Sequence, residues 1–353
     1  MAPLSARMMA VPVPALNSHA LNGLASPAAW DDVVAPARPF LARVTQRMAE
    51  QVADFEPEIA DYARYALDNQ GKQLRPTLVA LSGEAVGTIN DNLVTIAIII
   101  EMIHLATLVH DDIMDEATVR RRRPTLAARW GNQISVLLGD CLFAQALNLA
   151  ARFTTAEVSL AVSSSTGIVC TGEILQTHRR RRWSQTRGDY FRVLEMKTAE
   201  LFALACELGA KLAGGTTEQQ AALRRHGLAL GTAYQIYDDC LDLFGTELSA
   251  GKSLGTDLAT GKVTLPLLVA LERTSEAGRS QLIGWLDNWR PENFAGVRTL
   301  LEEHGALAES ASVIDGYLNQ AREALGELPP GPATGALAGL ADFLSHQTAA
   351  LGG

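Results

Sequence analysis

The chain has 353 residues, 48% of them hydrophobic, enough to bury a sizeable core in one large domain or two ordinary ones. Its 30 lysines and arginines stand against 39 acids, a net charge of −9 that argues against a general nucleic-acid binder. Cys141, Cys170, Cys206 and Cys240 show no C-x-x-C spacing. Free thiols in a reducing compartment are therefore expected rather than a zinc site or a disulfide framework.

Proline placement sets the architecture. Of 14 prolines, six fall in residues 1–39, and Pro329, Pro330 and Pro332 cluster near the end. A body so poor in proline and rich in Ala and Leu predicts an all-α fold. No alternating run is long enough to demand a sheet. Residues 1–36, rich in Ala and Pro, are expected to be a disordered or loosely docked extension, with residues 37–353 forming the domain. The extension lacks the apolar run of a signal peptide. The cytoplasm is the expected compartment, and organellar targeting by the extension stays open. The longest apolar run, Val94–Ile100, is too short to span a bilayer.

Residues 38–70 predict two helices broken near Pro57. A cationic turn with Lys72 and Arg75 leads into a helix from about Thr77 to Val86. Asp91 is a good N-cap for a helix running to about Ala117, roughly 40 Å at about 1.5 Å per residue. Its end carries Asp111, Asp112 and Asp115. Residues i and i+4 share a helix face, so Asp111 and Asp115 are aligned carboxylates that repel unless a cation sits between them. One turn back from these lie Thr107 and Ala106, with Ile103 deeper, and this small-residue stretch predicts a groove below the carboxylates.

Arg120–Arg123 follow, and four cations after three carboxylates suit a phosphorylated ligand. Pro124 is expected near the start of the next helix. Residues 125–153 and 155–180 read as single helices, the second ending in the basic run His178–Arg182. That run has no nearby carboxylate motif in the sequence and is expected at the surface. Lys197 and Thr198 fall early in a long apolar helix reaching about Leu212. Residues 218–244 form another helix, whose end repeats the aspartate pattern with Asp238, Asp239 and Asp242. A Gly-rich segment with Lys252 and Lys262 follows, able to swing over the carboxylates. The rest is expected to be short scaffold helices.

These motifs in this order resemble the trans-isoprenyl diphosphate synthases: Gly71-Lys-x-x-Arg-Pro76, His110-Asp-Asp-x-x-Asp115 with Arg120-Arg121, Gly172-Glu-x-x-Gln176, Lys197-Thr198, Gln235-x-x-Asp-Asp-x-x-Asp242, and Lys252 with Lys262. The resemblance covers residues 38–348. It implies about a dozen helices around a central cavity, a homodimer, and three Mg2+ ions held by Asp111, Asp115 and Asp238. Asp112, Asp239 and Asp242 would support them through water or neighbouring groups. Arg120, Lys197, Lys252 and Lys262 would bind an allylic diphosphate. Lys72, Arg75, His104 and Arg121 would bind isopentenyl diphosphate. Thr198 and Gln235 would sit near the allylic cation. The stretch Ile103–His110, with Ala106 and Thr107, is most similar to the octaprenyl and solanesyl members, implying a quinone side-chain precursor as product. A peripheral membrane contact for that product stays open.

This sequence departs from the family pattern at Arg122, where a Gly is usual, at Gln73, and in lacking a basic tail. Three other enzyme readings compete. Glu101-x-x-His104 fits a di-iron carboxylate site, but no second copy is present. A terpene cyclase would use one aspartate motif. A shorter-chain synthase remains an alternative product class. A non-catalytic partner subunit would be expected to have lost aspartates or lysines, and this chain keeps them.

Overall fold

The computed structural model describes residues 27–68, 71–247 and 253–352. Lys252 and residues 1–26 lie outside them. The described helices are α1 (Pro27–Val34), α2 (Arg38–Ala53), α3 (Pro57–Leu67), α4 (Leu74–Val86), α5 (Asp91–Met114), α6 (Leu126–Trp130), α7 (Asn132–Ala151), α8 (Ala156–His178), α9 (Arg187–Leu194), α10 (Glu200–Leu212) and α11 (Thr217–Phe244). Beyond these come α12 (Thr256–Thr260), α13 (Leu265–Arg273), α14 (Glu276–Asp287), α15 (Asn293–Glu303), α16 (Ala306–Leu325) and α17 (Pro332–Ala349). The fold is all-α, as the proline pattern predicts. Among the described residues one small hairpin interrupts it, β1 (Val119–Arg120) with β2 (Arg123–Pro124).

Helix α5 is apolar on every side, and Leu93, Ile96, Ile99, Ile100, Met102 and Ile103 are all fully buried. A helix of that kind belongs in a core. It packs against α4, α7 and α10. By length and composition α5, α7 and α8 could each cross a membrane, but two-thirds of the α5 window is covered by the rest of the fold. Each large core side chain contributes about 1.5–3 kcal/mol of burial. That packing fixes the helix whose last turn carries the first aspartate motif. Opposite it, α11 packs on α10 and α16 and carries the second motif at its own C-terminal end.

Several boundaries differ from expectation. Residues 27–34, expected to be loose, are helical, and the Trp30 ring lies 5.2 Å from Phe343 on α17. Asn90, not Asp91, caps α5, its side chain accepting from Leu93 N at 3.1 Å. Helix α5 ends at Met114. Pro124 belongs to the hairpin, and Thr125 caps α6 by accepting from Ala128 N. Gly131, at φ 88°, divides the predicted 125–153 helix. The segment before α10 is likewise divided, into α9 and a π turn over Glu195–Ala199. Helices α16 and α17, at 20 and 18 residues, are not short.

Candidate active site

A cavity of about 1610 Å3 opens between the ends of α5 and α11. From the first motif, Asp111 and Asp115 line it; from the second, Asp238 and Asp239 do. Asp112 and Asp242 lie outside the wall.

Around the first motif every carboxylate meets a cation. Asp112 Oδ1 accepts from Arg120 Nε at 2.6 Å. Burial pushes the Asp112 carboxyl up against the pull of that guanidinium. Lys197 Nζ stands 3.6 Å from Asp111 Oδ2, pairs with Glu173, and donates to Gln176 Oε1 at 2.8 Å. Lys262 Nζ donates to Asp115 Oδ2 at 2.8 Å and lies 3.4 Å from Asp257. Burial alone would raise Asp115, but Lys262, Lys197 and Arg180 outweigh it and hold the carboxyl low.

Lys197 and Thr198 occupy the π turn, a local widening that re-aims side chains at functional sites. Helix α8 approaches this turn closely because residue 172 is Gly; a Cβ there would come within 2.7 Å of the Lys197 backbone nitrogen. That gives the Gly172-Glu-x-x-Gln176 motif a steric reason.

The second motif is wired differently. Thr198 donates to Gln235 Oε1 at 2.9 Å, and Gln235 donates to Asp239 Oδ1 at 2.9 Å. Tyr190 donates to the other Asp239 oxygen at 2.6 Å. Burial, with the Asp257 charge adding to it, raises the Asp239 carboxyl to about 8. Asp242 is fully buried and holds a loop instead: it accepts from Thr256 Oγ1 at 2.7 Å and from Asp257 N at 3.0 Å. These two bonds position the segment that leads to Lys262.

At the other polar end, Lys72, Arg75, His104 and Arg121 line the wall together. Arg75 lies 4.9 Å over the Phe202 ring, and its Nε is buried with no partner among the described residues. Burial, then Arg75 and Arg121, hold His104 well below its ordinary pKa, so the ring is neutral at neutral pH. Lys72 Nζ lies 5.3 Å from the Trp30 ring and 5.2 Å from Phe343. With Gln347 and Leu351 also in the wall, the C-terminal helix is part of the site rather than scaffold.

The arginine run splits. Arg120, Arg121 and Arg122 reach the cavity, whereas Arg123 lies 4.6 Å over the Tyr65 ring. Arg121 and Arg122 take φ 49° and 63° at the two-residue hairpin tip. A turn with both central residues left-handed favours Asn and Gly, so the departure at Arg122 carries backbone strain.

Two expectations fail. Thr107 lines the cavity, but Ala106 and Ile103 are fully buried outside its wall. The face running down from Asp111 continues through Thr107, Leu108 and His104, following the i−3, i−4 and i−7 positions of a helix. The second basic run is not a free surface either. Arg179 pairs with Asp189 at 3.0 Å, Arg180 with Asp115 at 2.8 Å, and Arg181 donates to the Asp287 carbonyl. Tyr190, Asp257 and Trp30 are further participants that sequence reasoning missed.

Part of the remaining wall is apolar, with Leu108, Phe143, Val169, Val193 and Leu201. A cation-lined pair of carboxylate motifs above an apolar arm suits an amphiphile with a diphosphate head. Residues 56–303 match the model of the Polyprenyl synthetase family. The chain belongs to that family. This polyprenyl synthetase is 37% identical to nonaprenyl diphosphate synthase of Mycobacterium tuberculosis, over 88% of its own length and 92% of the relative's. It is 35% identical to a short chain isoprenyl diphosphate synthase of Methanothermobacter thermautotrophicus, over 87% and 96%. Among solved structures it superposes on a polyprenyl synthase of Caulobacter crescentus, complexed with calcium and isoprenyl diphosphate, at a TM-score of 0.85. That match has 33% identity and covers 90% and 97% of the two chains. The polyprenyl synthetase is thus a prenyltransferase of isoprenoid biosynthesis. Its family generally depends on a divalent metal.

Proposed function

We propose that this polyprenyl synthetase catalyses the magnesium-dependent, head-to-tail (1'-4) condensation of isopentenyl diphosphate with an allylic diphosphate. The product is a medium or long all-trans polyprenyl diphosphate, a quinone side-chain precursor. The observation that carries this reading is that both aspartate motifs and two groups of cations face one cavity that also has an apolar stretch of wall.

The donor set fits magnesium. Asp111, Asp115 and Asp238 offer only oxygen, the ligand that hard cations take. Among the described residues no three carboxylate, His or Cys groups converge to hold an ion alone. Mg2+ normally uses one or two carboxylates and completes its shell with phosphate oxygens and water, so three ions shared with a bound diphosphate suit the site. The calcium in the Caulobacter relative, another oxygen-seeking cation, supports this.

When bound, the metal would act as a Lewis acid on the leaving pyrophosphate. The chain's own residues do the rest. Arg120, Lys197 and Lys262, now paired with carboxylates, would turn to the diphosphate oxygens and stabilise charge as the allylic C–O bond ionises. Lys72, Arg75 and Arg121 would bind isopentenyl diphosphate, and neutral His104 would donate one N–H. The Thr198 hydroxyl and Gln235 amide would orient their dipoles toward the allylic carbon. Burial would keep water from quenching the cation. The released pyrophosphate can take the proton after the new bond forms, so no strong protein base is needed.

Chain length would be read at Thr107, the small residue of the wall nearest Asp111. Thr107→Phe should shorten the product by one or more units while turnover persists. Ala106→Phe would instead overpack the core, costing about 1–3 kcal/mol. A product of four units or fewer is the second reading, favoured by the Phe143 ring in the wall, 5.9 Å from His110. Leu137 at 60% exposure, Leu160 at 62% and Ile174 at 68% give α7 and α8 an outward apolar face. That face supports a homodimer, since such patches mark association sites.

The deciding experiment supplies the purified chain with Mg2+, farnesyl diphosphate and labelled isopentenyl diphosphate, then chromatographs the dephosphorylated products. Chains beyond four units are expected. A stop at four overturns the long-chain reading, and no consumption of isopentenyl diphosphate by the chain alone puts the partner-subunit reading ahead.

A further inference from the structure

Asp115 meets two cations from opposite sides. Lys262 reaches Oδ2 at 2.8 Å from the cavity wall. Arg180 reaches Oδ1 at 2.8 Å and is not part of that wall. The same guanidinium donates from Nη1 to the Met114 carbonyl at 3.2 Å, at the C-terminal end of α5. A cation there also meets the negative end of the helix dipole. Arg180 therefore grips both the carboxylate and the last turn that carries it.

Its own backbone is held on each side. The Arg179 side chain pairs with Asp189 at 3.0 Å. Arg181 N donates to the Gly261 carbonyl at 2.7 Å, one residue before Lys262. Arg181 adopts φ 58°, and a Cβ on Gly261 would come within 2.5 Å of its side chain. The two loops that send cations to Asp115 are thus locked to each other.

We infer that Arg180 is a positioning residue for Asp115. It holds Oδ1 from behind and presents Oδ2 to the cavity, where Asp115 would hold a divalent cation in place of Lys262. This rests on the metal–diphosphate reading above. Groups that hydrogen-bond a ligating carboxylate typically change metal affinity by about ten- to hundredfold when removed. A guanidinium fork can span a carboxylate and a carbonyl at once, whereas an ammonium is a point charge.

The test uses the full chain and a non-ionising allylic probe, farnesyl S-thiolodiphosphate, with binding followed by calorimetry across Mg2+ concentrations. The wild type is expected to bind in a Mg2+-dependent way. Arg180→Met should raise the Mg2+ midpoint by about ten- to hundredfold, with the KM for isopentenyl diphosphate within about twofold of wild type, a split that general loosening would not give. Arg180→Lys should recover part of the shift. A folded Arg180→Met with an unchanged midpoint overturns the inference. A lowered midpoint also overturns it, by making Arg180 a competitor of the metal. If Arg180→Met does not fold, an unshifted midpoint in Arg180→Lys overturns it instead. Wild-type binding indifferent to Mg2+ overturns the metal reading first, and shows before any variant is made.

Discussion

Asp115, just past the end of α5, meets Arg180 and Lys262, whereas Asp239 and Asp242 on α11 meet a tyrosine, an amide, a hydroxyl and a backbone N–H. The two stretches share the same D-D-x-x-D pattern. The first sits among cations, which the proposed metal-bound diphosphate would displace or recruit. In the second, Asp238 and Asp239 face the cavity, and hydrogen bonds of Asp239 and Asp242 tie α11 to α9 and to the loop before Lys262. We propose that the first motif mainly binds ligand, whereas two aspartates of the second also hold local architecture. The corners that follow differ too: Arg121 and Arg122 hold positive φ after the first motif, and Gly255 and Gly261 do so after the second.

The largest expected effect comes from Asp111→Ala. Turnover should fall by about a thousandfold or more, the scale of losing a main electrostatic element, with thermal stability near wild type. Near-normal activity would break the division of labour. Asp242→Ala should show the reverse order, a stability loss of about 1–3 kcal/mol from the stranded Thr256 and Asp257 donors, read as a lower Tm. Activity would fall only as far as Lys262 is displaced. An unchanged Tm would mean that these hydrogen bonds do not hold the loop.

Asp239→Asn sharpens the contrast through pH. The Asp239 carboxyl is raised to about 8 in the folded chain, against about 3.9 unfolded. The folded state therefore holds its proton more tightly. That stabilisation is fully present below about pH 3.9 and is lost as pH rises toward 8. In chelator-treated protein, Asp239→Asn should flatten the decline in Tm between about pH 5 and 8; an identical slope would mean the carboxyl is ionised throughout. The smallest effect is Arg122→Gly, which should add about 1 kcal/mol by relieving a left-handed Arg, measured by urea unfolding. A destabilised Arg122→Gly would mean the guanidinium's contacts outweigh the strain.

Much of this was legible because helix periodicity carries over long distances. The i, i+4 carboxylates and their placement at helix ends follow from α5 and α11 being regular and well capped. The face of α5 turned to the cavity was not, because 106 and 107 are adjacent in sequence and about 100° apart on the helix, and only packing decides which looks inward. Arg180 was missed for a different reason. No local pattern links residues 65 apart, and a loop between helices carries no periodicity to aim its side chains. The π turn at Lys197 and the helix at Trp30 likewise depend on tertiary partners, Gly172 on α8 and Phe343 on α17, that the local sequence does not announce.

Lys72 sits between rings contributed by α1 and α17. Helices near the two extremities of the described chain therefore meet over one cation in the wall of the cavity. Purification tags and terminal trimming are usually chosen as if the ends were remote from chemistry. In this protein trimming into α1 or α17 removes a ring beside the ammonium proposed to greet isopentenyl diphosphate, so kinetic comparisons between differently trimmed preparations carry a variable of their own.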